Sequence, residues 1–140
     1  MAFLTDVDYK TRIKDNILAD IINNDTSIQA EAELTAQAEM ESYLNMRFDV
    51  AAIFSQTDTA RNHNLVMIMV DIVIYHIYSR IASNQIPEHR QNRYDDAKRW
   101  LEWVSQGKLS PDLPKVLDSE GQDTKTPITY GSEKKRNPYY

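Results

Sequence analysis

The chain contains no cysteine among its 140 residues. Disulfide bonds, thiolate nucleophiles and cysteine metal sites are therefore excluded. Glycine is also scarce, because the first of only three glycines is Gly107. Phosphate-binding loops, dinucleotide fingerprints and nucleophile elbows need glycine, since only glycine lets backbone amides approach phosphate closely or adopts the strained turn beneath a nucleophile. The first 106 residues lack these motifs, and we predict a protein that is not an enzyme and binds no cofactor.

Proline is almost absent from the same region, since Pro87 is the only one of five prolines before residue 107. A segment with so few backbone breakers is expected to be helical. The last 34 residues hold every glycine and the other four prolines, and are expected to be extended or irregular. We therefore predict two parts, a helical body over residues 1–113 and an extended C-terminal interaction arm over residues 114–140.

Apolar residues recur at helical spacing in four long segments of the body. The third segment is apolar on nearly all sides, which predicts the central helix. The second is expected to have Asp25 or Thr26 as its N-cap, and the first to carry Ile13, Ile17 and Ile21 on one face. The predicted fold is all-α, a small bundle of about four main helices with an extended C-terminal arm. The predicted helices cover residues 6–22, 25–46, 61–82 and 87–106, with a short helical turn at 49–54.

The fourth predicted helix has the clearest boundaries. Pro87 suits a first helical position, because its φ is fixed and it has no amide hydrogen to leave unpaired, and Gly107 suits a left-handed C-terminal cap. At about 100° per residue, one stripe is apolar and the opposite side is charged, with Trp103 at the margin. The stripe holds Tyr94, Ala97, Trp100, Leu101 and Val104, and the charged side holds Asp95, Lys98, Arg99 and Glu102.

Charge is distributed unevenly, since the first 106 residues hold 16 acidic and 10 basic side chains. Phosphate contacts supply most non-specific affinity for DNA, so a duplex-binding domain usually has a basic face. The segment from Thr5 to Glu41 holds nine acids and three bases, which disfavours direct DNA binding. Two explanations of the acid excess stay open: solubility, and a negative wall that keeps passing DNA from adhering.

The titratable side chains do not form a recognisable metal or catalytic motif. His63, His76 and His89 are not spaced to share a helix face, and we expect His76 to be a hydrogen-bonded histidine at the edge of the core. The paired acids Asp95-Asp96 and Glu39 with Glu41 are interpreted as solvated faces, with Asp95 pairing to Arg99 one turn away. We therefore predict no metal site. An enzyme would need titratable groups gathered from separate helices.

The chain has no predicted membrane segment. Residues 1–10 lack the basic region and apolar run of a signal peptide. The longest apolar stretch, Leu65 to Tyr78, is about fourteen residues long and includes Asp71 and His76, which is too short and too polar to span a bilayer. We expect a soluble protein with no membrane partner.

Two blocks of the sequence resemble the small phage head-to-tail connector (adaptor) proteins of the Mu-type gp36, or gp6-like, connector family. The first block is residues 38–48, an acidic segment followed by Tyr43, Leu44, Arg47 and Phe48. The second block comprises residues 71–78, 87–88, 93–101 and 107–110. The resemblance extends over about residues 1–113 in helix order. The chain departs from the family pattern in its longer tail and in an acid-rich and alanine-rich segment from Thr26 to Glu41.

The resemblance implies a structural protein of a tailed phage virion. Such an adaptor assembles in the host cytoplasm as a homo-oligomeric ring, commonly of 12 copies, and lies in the neck between the portal protein and the tail or stopper. DNA passes through its lumen transiently. The alternative function is a small helical regulatory DNA-binding protein, which would require retention on DNA at physiological salt.

Residues 114–140 have two interpretations, a disordered tail or an assembly arm on the portal or a neighbouring subunit. Trp103 is predicted as a contact with a neighbour or as a lid on its own core. Arg47 is expected to cap a helix end or to pair with an acid across the subunit boundary. The segment from Thr126 to Tyr130 is predicted to be able to pair with a partner as a short β-strand. The predicted interface residues are Trp103, Ile128, Tyr130, Lys134, Lys135, Arg136, Tyr139 and Tyr140. The predicted scaffold residues are Tyr43, Arg47, Tyr94, Trp100, Leu101 and Gly107.

Overall fold

The computed structural model describes residues 3–81 and 85–116, and these residues form a bundle of α-helices. The described ranges contain no strand and a single isolated antiparallel bridge, between Phe48 and Lys115. The predicted all-α class is confirmed. In chain order the helices are α1 (Asp6–Lys10), α2 (Asp15–Ile21), α3 (Thr26–Leu44), α4 (Val50–Phe54), α5 (His63–Ile81) and α6 (Glu88–Ser105), with a short 3₁₀ turn at Asp58–Ala60.

The helix α5 lies at the centre of the bundle, as its apolar sequence predicts. It packs against α1, α2, α3 and α6, and ten of its residues are buried. By length and composition its 19 residues would suffice to cross a membrane. The helix is longer than the apolar stretch from Leu65 to Tyr78, which by itself is too short. In the described structure 56% of the most apolar segment of this helix is buried inside the protein, as expected for a core helix.

The first predicted helix is wrong in one respect, since residues 6–22 form two helices with a break at residues 11–14. The apolar side chains explain the break. On one straight helix, at about 100° per residue, the mean direction of Tyr9 and Ile13 would lie about 150° from that of Ile21 and Ile22. The break turns the chain so that all four are buried, and it leaves Ile17 at the surface, 38% exposed.

The other helix boundaries are close to those predicted. Asp25 is the N-cap of α3, because its side chain accepts a hydrogen bond from the Ser27 amide, and Asp49 caps α4 in the same way through Ala52. Gly107 has a φ of 81°, as a left-handed helix stop requires. Pro87 is the N-cap of α6, whereas the prediction placed it at the first helical position.

The described chain ends against the start of α4. The amide of Asp49 donates to the carbonyl of Pro114 at 2.9 Å, and Leu113 is buried. The chain therefore leaves the described body at residue 116, beside the turn between α3 and α4. The division of the chain at residues 113 and 114 stays a prediction.

Candidate assembly surfaces

Arg47 joins the turn after α3 to the C-terminal end of α6. Its Nη1 donates to the carbonyl oxygens of Val104 at 2.5 Å and Leu109 at 3.2 Å, and the residue is only 8% exposed. A cation is favourable there, because the C-terminal end of a helix carries partial negative charge and the Val104 carbonyl accepts the Arg47 donor in addition to the Gly107 amide. Helix capping, one of the two roles predicted for Arg47, is confirmed within one subunit. Pairing across a subunit boundary stays a prediction.

The same end of the molecule exposes apolar surface. Met46, directly before Arg47, is 77% exposed, and Trp103, one residue before Val104, is 42% exposed. Both predicted roles of Trp103, a contact with a neighbour and a lid on its own core, stay predictions. Because residues 108–116 also end on this side, the exposed apolar groups and the exit of the chain lie at one end of the bundle.

The predicted scaffold residues lie where α3, α5 and α6 meet. Leu101 is fully buried, and Tyr43, Tyr94 and Trp100 are partly buried against the core. Their role in fixing the bundle stays a prediction, because burial alone does not measure their contribution to stability.

Glu39 is the centre of a polar cluster that links three helices. Its Oε1 lies 2.9 Å from His76 Nε2, and its Oε2 accepts a hydrogen bond from the Tyr94 hydroxyl at 2.9 Å. The Tyr94 ring stacks on Tyr75, with ring centroids 3.9 Å apart. Burial raises the pKa of Tyr94, and the hydrogen bond to Glu39 and the charge of Glu39 raise it further. The cluster holds α3, α5 and α6 in one relative orientation.

Two predictions for acidic residues need correction here. The hydrogen-bonded His76 is confirmed, but Glu39 is not on a solvated face, because His76 and Tyr94 provide it with partners in a partly buried position. Arg99 pairs with Asp96 at 2.8 Å, three residues away, whereas Asp95 accepts a hydrogen bond from Gln91. Both of these contacts are between exposed side chains, where such pairs contribute little to stability.

A second polar cluster, which the sequence reasoning did not identify, joins the break after α1 to α5 and α6. Arg12 binds Asp71 through two hydrogen bonds, of 3.0 Å and 2.7 Å. Arg90 is 7% exposed, and its Nη2 donates to the Arg12 carbonyl at 2.8 Å. Among residues 3–81 and 85–116, the Nε and Nη1 of Arg90 have no hydrogen-bond partner. Arg12 therefore binds the Asp71 carboxylate directly, whereas Asp71 acts on Arg90 only through its charge.

The sequence contained a signal for this cluster. Arg90 has the spacing of the α6 stripe, since it lies four residues before Tyr94 and seven before Ala97. Asp71 interrupts an apolar helix, and a carboxylate in such a position requires a cationic partner. The identity of that partner was not predictable, because Arg12 is distant in sequence.

Within residues 3–81 and 85–116, no group of three histidine, aspartate or glutamate side chains is arranged to hold a metal ion. The predicted absence of a metal concerns the whole chain and stays a prediction. Most of the predicted interface residues, and the possible strand from Thr126 to Tyr130, lie outside the described residues. These interface residues are Ile128, Tyr130, Lys134, Lys135, Arg136, Tyr139 and Tyr140.

Comparison with protein families identifies the chain. The family model described as Bacteriophage Mu, Gp36 matches residues 3–127. The chain belongs to this family. No curated protein and no solved structure matches it.

Membership in the Gp36 family makes this a virion-related phage protein. The match also corrects the extent of the resemblance, which the sequence reasoning ended near residue 113. Residues 114–127 fall within the family pattern, and only residues 128–140 lie beyond it. The last part of the chain, with its lysines, arginine and final tyrosines, is therefore a feature of this chain outside the family match.

Proposed function

We propose that this protein is a structural head-to-tail connector, an adaptor that assembles in the host cytoplasm as a ring of 12 copies in the virion neck. The observation that carries the proposal is the match to the Gp36 family over residues 3–127. The ring binds the portal protein on one side and the tail or stopper on the other. Its work is assembly, with no catalysis, no cofactor and no membrane.

The end of the bundle that holds Met46 and Trp103 supports this proposal. A heterologous ring requires two different patches on each subunit, one for each neighbour. Aromatic and methionine side chains are enriched at interfaces, because they bury a large apolar area. The C-terminal arm leaves the described body on the same side, so the arm and this apolar end can bind one set of partners.

Native mass measurement of the full chain, alone and mixed with the portal protein of its phage, tests the proposal. We expect a closed oligomer of 12 copies, alone or on the portal. A chain that stays monomeric in both conditions contradicts the proposal. Retention of that monomer on DNA at physiological salt would instead support a regulatory DNA-binding protein.

The variant Trp103→Ser tests the apolar end directly. We expect it to weaken assembly by about thirtyfold or more, because truncating a central aromatic anchor typically costs at least about 2 kcal/mol. Val7→Ser is a matched control, since Val7 is 68% exposed on α1 and its loss should leave assembly unchanged. Equal effects of the two variants would count against the apolar end as an interface.

We also propose that exposed acids of the body line the lumen and keep DNA sliding. The side chains of Asp15, Asp20 and Glu31 are exposed. Glu39 is not included, because it is hydrogen-bonded with His76 and Tyr94. A negative wall repels phosphate, and replacing these three acids with lysine should slow packaging or ejection of DNA. Unchanged rates of both would leave solubility as the reason for the acid excess.

A further inference from the structure

A groove of about 380 Å³ lies between the N-terminal segment, α3, α4 and α5, and we call it the α3 groove. Its floor is apolar: Phe3 and Phe54 pack edge to face, with ring centroids 5.1 Å apart, and Met69 lies beside them. Leu34 forms the rim and is 63% exposed. The volume and the apolar floor suit the ring of an aromatic side chain.

The polar side of the α3 groove is negative. The helix α3 carries four glutamates and no basic residue, and one of them, Glu33, lines the groove. Burial raises the pKa of Glu33, the hydrogen bonds from Tyr9 and Gln29 oppose this, and nearby aspartates raise it further. Within the described residues no basic side chain forms a salt bridge with Glu33. A cation brought to this position would be favourable.

The end of the same chain has the complementary chemistry. Residues 134–140 read Lys-Lys-Arg-Asn-Pro-Tyr-Tyr, with three bases, two aromatic rings and no acidic side chain. This segment lies beyond the family match, which ends at residue 127. It combines aromatic rings for the apolar floor with cations for Glu33.

We propose that residues 134–140 of one copy bind in the α3 groove of a neighbouring copy, with a tyrosine on the apolar floor and a base beside Glu33. This inference rests on the proposed ring, because it requires adjacent copies. Residues 117–133 can span about 55 Å when extended, which exceeds the radius of gyration of a body this size, about 13 Å. The described chain ends next to α4, and Phe54 of α4 lies in the groove. Docking in the same copy would therefore use only a small part of the extended length of residues 117–133.

The absence of native cysteine allows a direct test by disulfide formation. Two full-length single-cysteine proteins, Leu34→Cys and Asn137→Cys, are mixed and oxidised, and the mixed dimer is identified by mass. Asn92→Cys mixed with Asn137→Cys is the matched control, since Asn92 is exposed on α6 and does not line the groove. We expect the Leu34 mixture to link about tenfold faster than the control. Equal rates in the two mixtures overturn the proposal.

Two further measurements separate docking from its alternatives. In the double variant Leu34→Cys/Asn137→Cys, a disulfide that forms only within one copy would overturn the inference, because the arm would then occupy its own groove. Adding Glu33→Lys to the Leu34→Cys protein should slow linking about tenfold, whereas Glu33→Gln, which keeps an acceptor for Tyr9, should slow it less. Thermal melting verifies that each variant folds. A ring seen by native mass without the link refutes only the docking, whereas a monomer refutes the proposed function itself.

Discussion

The two ends of α6 each hold a buried arginine, and the surroundings of these arginines are opposite. At the C-terminal end, Arg47 donates to the carbonyl of Val104, in the last turn of α6, and to that of Leu109, just beyond the helix, where the helix carries partial negative charge. At the N-terminal end, Arg90 lies in the first turn, where the helix carries partial positive charge. Arg90 makes one hydrogen bond, to the Arg12 carbonyl. Among the described residues two of its nitrogens have no partner, compared with one nitrogen, Nε, of Arg47.

The comparison teaches that burial of an arginine does not by itself stabilise a fold. A buried cation is favourable where acceptors and negative charge surround it, and costly where its donors are unpaired. At the N-terminal end the compensation comes from Asp71, whose oxygens are both bound by Arg12. Burial lowers the pKa of Arg90, and the charge of Arg93 lowers it further. We expect the two ends of α6 to respond oppositely to the loss of their arginine.

The largest effect is expected from Asp71→Asn, which removes the carboxylate bound by Arg12 and the negative charge that acts on Arg90. We expect the free energy of unfolding to fall by about 3–5 kcal/mol, because two largely buried cations lose their counter-charge. Urea unfolding measures the change. In an Arg90→Met background the same substitution should cost about 1 kcal/mol less, since one of the two cations is already gone. Equal costs in both backgrounds would show that Arg90 does not depend on Asp71.

Arg47→Met is expected to lower the free energy of unfolding by about 2–3 kcal/mol. The methionine retains most of the side-chain volume, but two carbonyl groups at the end of α6 lose a charged donor. Chemical denaturation followed by circular dichroism gives the value. Arg99→Met, in an exposed ion pair on the same helix, is the matched control and should change stability by less than about 0.5 kcal/mol. A similar loss in both variants would contradict the capping role of Arg47.

Arg90→Met is expected to change stability by less than about 1 kcal/mol, and can increase it. The variant loses one hydrogen bond, but it also removes two unpartnered donors and a repulsion with Arg93. The same unfolding assay compares it with Arg47→Met. A loss as large as that of Arg47→Met would end the proposed difference between the two ends of α6.

The same two arginines show how much the sequence could predict. The spacing of apolar residues identified α3, α5 and α6 within a few positions, because a long helix repeats its pattern several times. Helix capping was one of the two roles predicted for Arg47, beside pairing with an acid across the subunit boundary. Arg90 occupied the α6 stripe, yet no local pattern shows that a charged residue is buried when its partners come from distant segments.

Short elements were the least predictable. The break between α1 and α2 depends on burying Tyr9 and Ile22 against different parts of the core, and seventeen residues of helical spacing do not reveal that turn. The α3 groove was also beyond prediction, since Phe3, Leu34 and Phe54 come from three separate segments. Its acidic charge, by contrast, was visible in the composition of α3.

The smallest effect concerns His89, which reports the positive charge at the N-terminal end of α6. Burial lowers its pKa, and the charges of Arg90 and Arg93 lower it further. Since the folded-state pKa lies below the ordinary value of 6.5, the stability linked to this group is complete above pH 6.5 and decreases as pH falls toward the folded-state pKa. Arg90→Met should raise the pKa of His89 toward 6.5, as measured by NMR titration of its ring protons. Arg99→Met, ten residues along the helix and about 15 Å away, should leave that titration unchanged. If His89 titrates identically in the parent protein and in Arg90→Met, Arg90 does not contribute to the positive field at this end of α6.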